Sequence, residues 1–186
     1  MSNSVKTVTV YCGSRTGHDP KWLALASQVG TELGKNGIAM VFGGGRNGMM
    51  GKTARAALDA QGRVTGIIPE TLLAVDPAME DLTELFVVDS MHTRKLLMSE
   101  KADGFLVLPG GIGTLEEFFE IWTWFQIGLH KKPIVLLNAY DYYSPLLRFL
   151  QHAVDLGFFG AHHHMHLRVA KTARDAVALL QEPIDT

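Results

Sequence analysis

Short β-branched runs alternate with longer stretches of helical periodicity from one end of the chain to the other. The apolar runs predict strands at Thr7–Cys12, Ile38–Phe42, Val64–Ile68, Glu84–Val88, Phe105–Leu108, Ile134–Leu137 and, on a weaker pattern, Leu167–Val169. Between them, apolar residues recur at helical spacing near Lys21–Lys35, Gly48–Ala60, Met91–Ala102, Leu115–Leu129, Pro145–Leu156 and Thr172–Gln181. "GKNG" at 34–37 supplies a helix stop, with Gly37 suited to a left-handed C′ position. Strand–helix alternation of this kind predicts an α/β fold: a Rossmann-like, doubly wound, mainly parallel sheet of about seven strands with helices on both faces. No composition shift, repeat or Ser/Pro-rich linker divides the sequence, so residues 1–186 are expected to form one domain.

In an open parallel sheet, ligands bind beyond the carboxyl ends of the strands, which directs attention to the strand-to-helix turns. Three of them carry glycine: "CGSR" at 12–15, "GGGRNGMMG" at 43–51 and "PGGIGTLEE" at 109–117. Glycine admits close backbone approach, and the helix that follows offers unpaired N–H groups, so each turn reads as a candidate phosphate cradle. Gly43, Gly45 and Gly48 fit the spacing of a dinucleotide fingerprint, with Glu70 at the distance of a ribose contact. That fingerprint belongs to the first βα turn, however, and this is the second. "GKT" at 51–53 does not complete a P-loop, because Arg46 stands where the first glycine is required.

In the third turn, Gly110, Gly111 and Gly113 free the amides, Thr114 adds a hydroxyl, and Glu116 and Glu117 are expected in the first helical turn. There the helix dipole would favour their ionised forms and lower their pKa values. A fixed carboxylate suits the steadying of positive charge on a sugar ring, or the orienting of water. Neighbouring helical residues diverge by about 100°, so the two cannot serve one pocket in the same way. Upstream, Arg94 and Lys95 fall early in a helix, where cations oppose the dipole, a placement that suggests a ligand requirement.

The net charge of −2 and pI near 6.4 argue against a nucleic-acid binder with a basic face. Cys12 is the only cysteine, and the N-terminus lacks an apolar signal segment, so a cytoplasmic location is expected. The most apolar stretch, Phe118 to Leu137, is broken by His130, Lys131, Lys132 and Pro133, so no membrane span is expected. His162, His163, His164 and His166 invite a metal site, but adjacent residues converge poorly and no acid or cysteine lies beside them, so a polar loop is the plainer reading. Around "PGGIGT", Leu115, Phe118, Phe119, Trp122 and Phe125 make one apolar stripe, and Ile121, Trp124 and Gly128 a second face. A helix apolar nearly all round predicts a second subunit against it, hence a homodimer or a higher oligomer.

Taken together, "PGGIGTLEE" (Pro109–Glu117), "MHTRK" (Met91–Lys95), "GGGRNGMMG" (Gly43–Gly51) and "GSR" resemble the Lonely Guy family of cytokinin riboside 5′-monophosphate phosphoribohydrolases, long labelled lysine decarboxylase-like. Order and spacing match over roughly residues 7 to 155. The resemblance implies that Arg94 and Glu117 form the catalytic pair. It also implies that Gly44, Gly45, Gly48, Met49, Glu80, Met91, Lys95, Gly110, Gly111, Ile112, Gly113, Thr114, Glu116 and Thr123 bind substrate. Two departures, Ser90 for the family's usual Asp and Arg15 for a small residue, bear on substrate preference. The implied reaction is hydrolysis of the N-glycosidic bond of an adenosine 5′-monophosphate, with or without an N6 substituent, with no metal and no cofactor. The implied family also forms dimers and hexamers. The competing readings are a non-catalytic nucleotide or molybdopterin carrier of the same superfamily and, on Gly43, Gly45 and Gly48 alone, a dinucleotide-dependent oxidoreductase. A true decarboxylase would need pyridoxal phosphate on a Schiff-base lysine, usually in a much larger fold.

Overall fold

The computed structural model describes residues 4–160 and 166–184. Among them, seven strands form one all-parallel sheet: β1 (Thr7–Tyr11), β2 (Ala39–Phe42), β3 (Val64–Pro69), β4 (Glu84–Val88), β5 (Gly104–Val107), β6 (Ile134–Leu137) and β7 (Arg168–Ala170). Their order is β4-β3-β2-β1-β5-β6-β7, with β1 pairing β2 from Thr7 opposite Ala39 and pairing β5 from Val8 opposite Gly104. Six α-helices among the described residues connect them: α1 (Lys21–Lys35), α2 (Gly48–Asp59), α3 (Met91–Glu100), α4 (Ile112–Gln126), α5 (Ser144–Asp155) and α6 (Ala173–Gln181).

Alternation along each central strand divides two cores. Val8 and Val10 of β1, Met40 and Phe42 of β2, Leu106 of β5 and Val135 of β6 point to one face, where α1, α2 and α6 cover them. Tyr11, Val41, Phe105, Val107 and Leu136 point to the other, beneath α3, α4 and α5. A strand buried on both faces has no polar side to alternate, which is why β5 and β6 read as unbroken apolar runs. On the first face α1 and α2 meet backbone to backbone: a Cβ on Gly30 would fall 2.1 Å from the Thr53 carbonyl oxygen.

Helix ends follow the local chemistry. Gly37 takes φ +66°, its amide donates to Gly34 O at 3.0 Å, and Ile38 N donates to Leu33 O at 3.0 Å, which closes α1 in a Schellman turn. Ser90 caps α3 by accepting from Thr93 N at 3.1 Å, and Thr172 caps α6 by accepting from Asp175 N at 3.1 Å. The largest boundary difference from expectation is at α4, which begins at Ile112 instead of Leu115. Glu116 and Glu117 therefore lie in its second turn, beyond the zone where the dipole acts strongly.

The apolar α4 packs in part against its own chain. Phe118, Ile121 and Trp122 are buried within this chain, with Phe159 edge-on to Trp122 at 5.2 Å and His130 and His166 flanking Phe125 at 5.7 and 5.4 Å. These contacts cover part of the first stripe with the chain's own later residues, while on the second face Ile121 is buried, Trp124 half-buried and Gly128 exposed. Exposed apolar side chains remain at both ends of α4 (Ile112, Ile127, Leu129) and occur also on edge strand β4 (Leu85, Val87) and on α3 (Met91, Leu96). His162, His163 and His164 lie outside the described residues. No helix among the described residues is long and apolar enough to cross a membrane.

Candidate active site at the switch point of the sheet

Strand order reverses between β1 and β5, so the crevice at their carboxyl ends is the topological switch point of the sheet. The first and third glycine turns flank it and are tied together by Gly13 N donating to Pro109 O at 3.1 Å. The second turn is closed on the protein: Arg46 N donates to Pro77 O, Met49 N to Arg15 O and Met50 N to Gly13 O. Gly48, at φ +63°, is needed because a Cβ there would strike Ser14 O. Gly44 and Gly45 run against residues 78 and 79, with Met79 N donating to Gly44 O at 2.9 Å. This expected cradle is therefore partly closed by the protein's own carbonyls.

The third turn has the opposite balance. Its carbonyls are all occupied: Leu108 O by the Tyr143 hydroxyl, Pro109 O by Gly13 N, Gly110 O by the Tyr142 hydroxyl and Gly111 O by Leu115 N. Its amides, from Gly110 through Thr114, donate to no acceptor among the described residues, and the buried Thr114 hydroxyl has no hydrogen-bond partner there either. Five amides without acceptors at the start of a fifteen-residue helix make a candidate anion site. Glycine content supports this. A Cβ on Gly110 would strike Thr114 Oγ1, so packing explains that residue, but a Cβ on Gly111 or Gly113 would meet nothing within 4 Å. Neither has a positive φ, so the fold itself does not call for glycine at 111 or 113.

Glu117 stands three residues beyond Thr114, on the same face of α4 and about one turn, ~5 Å, further along. Contrary to the lowered pKa expected from the dipole, its carboxyl is pushed up to about 7. Burial is the main cause; the Arg94 guanidinium opposes it, and Glu116 adds to it. The expectation failed because α4 starts earlier and turns Glu117 inward. Arg94 is buried at 7 % exposure, its Nε donating to Ile67 O at 3.2 Å and its Nη2 to Gly43 O at 3.4 Å. No carboxylate among the described residues forms an ion pair with it. A buried guanidinium held by two carbonyls and the Met91 sulfur, all neutral, has charge to spare for an anionic ligand or for ionised Glu117.

Lys95 is committed to the protein. Its ammonium lies 2.5 Å from Glu116 and 3.0 Å from Glu120, joining α3 to α4. Burial lowers its pKa, but the two carboxylates outweigh that and raise it. Adjacent residues thus divide the work: Lys95 and Glu116 hold the helices in register, while Arg94 and Glu117 face inward. Glu120, one turn after Glu116 and opposite Lys95, escaped the sequence reading although its spacing was visible. Tyr142 and Tyr143 also escaped it; their signal was a strand-end turn, "NAYDYY", next to the glycine turn.

Other expected residues are dispersed. Met91 is exposed and places its sulfur 3.7 Å from Arg94 Nη1. Glu80 lines a separate cleft of about 410 Å³ with Thr16, Arg46, Gly48, Lys52 and Arg55. Thr123 is exposed, about 16 Å along α4 from Ile112, and does not reach the crevice of its own chain. Cys12 is buried beside the site, and burial pushes its thiol well up, which disfavours a nucleophilic thiolate.

A doubly wound parallel sheet, with a helix start of free amides at its switch point and a half-buried acid one turn away, defines an α/β protein of the Rossmann type. Comparisons narrow the class. Residues 50–180 match the family model described as "Possible lysine decarboxylase". The chain is 46 % identical over 179 residues to the cytokinin riboside 5′-monophosphate phosphoribohydrolase of Rhodococcoides fascians, covering 96 % of this chain and 90 % of that one. It is 41 % identical over 177 residues to the phosphoribohydrolase LOG7 of Arabidopsis thaliana, covering 95 % and 82 %. The chain belongs to this phosphoribohydrolase family, as its motifs implied. Among solved structures, the molybdenum cofactor binding protein of Rippkaea orientalis has the same fold, with a TM-score of 0.72 at 21 % identity over 96 % of this chain and 97 % of that one.

Proposed function

We propose that the protein hydrolyses the N-glycosidic bond of adenosine 5′-monophosphates, with or without an N6 substituent, releasing the base and ribose 5-phosphate. The observation that carries this reading is the pairing of unsatisfied amides at 110–114 with an inward carboxyl at Glu117, one helical turn away. That span is comparable to the distance from a 5′-phosphate across the ribose to C1′. With the phosphate on the amides, Glu117 faces the anomeric carbon.

The C1′–N9 bond breaks with its electron pair leaving on the base. Positive charge develops on the ribose, and ionised Glu117 stabilises it. Water oxygen then bonds to C1′, its proton passes to Glu117, and a proton from solvent or from that carboxyl neutralises the base. Arg94, always protonated, holds the phosphoribosyl group and keeps Glu117 ionisable. No step uses a metal or cofactor.

The reading treats the chain as one nucleotide-binding domain acting in the cytoplasm, since a charged nucleotide does not cross a bilayer. It also treats the chain as a homodimer, through the apolar α4 and the exposed apolar residues of α3 and β4. A monomer in light scattering at micromolar concentration contradicts the dimer.

The activity test is incubation with AMP and isopentenyladenosine monophosphate, followed by chromatography for free base and ribose 5-phosphate. Base released from either supports the reading. Intact nucleotide recovered from folded protein rejects it in favour of a carrier.

A further inference from the structure

The turn that follows β6 is built at a cost. Tyr140 and Asp141 both take left-handed backbone, at φ 55° and 57°, a conformation that non-glycine residues rarely adopt once and here adopt in succession. Side chains hold it in place. Asn138 Oδ1 accepts from Tyr143 N at 2.7 Å, Asn138 Nδ2 donates to Ser144 Oγ at 3.1 Å, and Asn138 N donates to Ala170 O at 2.8 Å. What the strained turn achieves is unusual for adjacent residues. In a helix or a strand, neighbouring side chains diverge by about 100° or 180°. Here Tyr142 and Tyr143 both reach the end of β5, donating at 2.7 Å to Gly110 O and at 2.7 Å to Leu108 O. Their rings meet edge to face at 4.8 Å, and Trp22 braces Tyr142 at 5.5 Å.

The Gly110 bond matters because of peptide planarity. In a trans peptide the carbonyl and the following N–H point in opposite directions within one rigid plane. Holding Gly110 O toward Tyr142 therefore aims Gly111 N–H the other way. This peptide joins two glycines, so without a tether it would rotate more freely than any other in the turn. Gly110 O is also the only one of the four carbonyls from 108 to 111 whose recorded partner is an exposed side chain.

Resting on the phosphoribohydrolase reading, we propose that Tyr142 is a positioning residue: its hydroxyl locks the Gly110–Gly111 peptide so that the Gly111 amide faces the 5′-phosphate. It thereby favours phosphorylated substrates over free nucleosides without touching either.

The test is Tyr142→Phe, which keeps the ring packing and removes the hydroxyl, beside Tyr140→Phe as a neighbouring control. Steady-state hydrolysis of AMP, and calorimetric titration with ribose 5-phosphate, are measured for both and for the unmodified protein. Loss of one hydrogen bond predicts that KM for AMP and Kd for ribose 5-phosphate rise about three- to tenfold in Tyr142→Phe, with kcat within about twofold, and stay unchanged in Tyr140→Phe. Equal KM and Kd in Tyr142→Phe overturn the proposal, as does a fall in kcat with KM unchanged. If the unmodified protein hydrolyses no purine monophosphate, the functional reading fails by itself. The titration still decides Tyr142: weaker binding in the variant upholds it, while equal binding, or none to the unmodified protein, overturns it.

Discussion

Replacing Glu117 by Gln tests the buried carboxyl through stability as well as through rate. The carboxyl ionises near 4.5 in the unfolded chain and near 7 in the folded one. Between those values the folded state keeps a proton that the unfolded state has lost, so this group contributes most to stability below about pH 4.5 and loses that contribution as pH rises toward 7. At about 1.4 kcal/mol per unit, the ionised form costs about 1 kcal/mol at pH 5.5 and about 3 kcal/mol at pH 8.5. Glutamine is nearly isosteric and never ionises, so the variant escapes the penalty. It should be more stable than the parent by about 3 kcal/mol at pH 8.5, which for a chain of this size raises Tm by roughly 6–12 °C. At pH 5.5 the gain should shrink to about 1 kcal/mol. Scanning calorimetry at one fixed protein concentration, at both pH values, reads the difference. A gain independent of pH, or a loss that grows with pH, refutes the assignment of a neutral, desolvated acid.

The same ionisation should appear in catalysis: because the mechanism needs the carboxylate, kcat/KM for AMP should fall about tenfold per pH unit below an apparent pKa near 7 in the free enzyme. A profile flat from pH 5 to 8 contradicts it. Lys95→Met removes a cation that lowers the Glu117 pKa, so the acid limb should move to higher pH, with a stability loss of about 1 kcal/mol from the broken contact to Glu116 and Glu120. An acid limb that stays in place rejects that coupling. Gly113→Ala places a methyl in space the protein leaves open, so urea unfolding should show a gain of about 0.5–1 kcal/mol while KM for AMP rises at least tenfold. Unaltered KM there would mean that the open space is not where the phosphate sits.

The fold was legible because both signals it depends on are local. Apolar runs at Phe105–Leu108 and Ile134–Leu137 can be satisfied only by strands covered on both faces, and Gly37 marks a helix end by its own backbone preference. The three glycine turns were legible as turns, but not their differing use. Whether an amide is free depends on where distant carbonyls lie: Met50 of the second turn is satisfied by Gly13 and Arg46 by Pro77, across tertiary contacts that no local pattern records. Glu117 was singled out from the sequence, yet the direction of its pKa shift was misjudged. The helix start was read from its first large apolar residue, Leu115, whereas "GIGT" already winds into α4 and turns the acid inward. The aromatic stripe of α4 was legible as a stripe, but not which residues of the same chain pack on it. Its periodicity is real, but Phe159 and His166, which help cover it, follow in sequence by more than thirty residues.

At the centre of this account is a nucleotide held with its phosphate on the amides at 110–114 and its anomeric carbon against position 117. A crystal structure of Glu117→Gln soaked with AMP addresses it most directly, since the substrate should survive in that variant. The account predicts phosphate oxygens at hydrogen-bond distance, about 2.7–3.2 Å, from Gly111, Gly113 and Thr114 nitrogens, with the Gln side chain turned to C1′. Phosphate seated instead on the turn at 43–51, or a residue 117 facing away from the ribose, contradicts it.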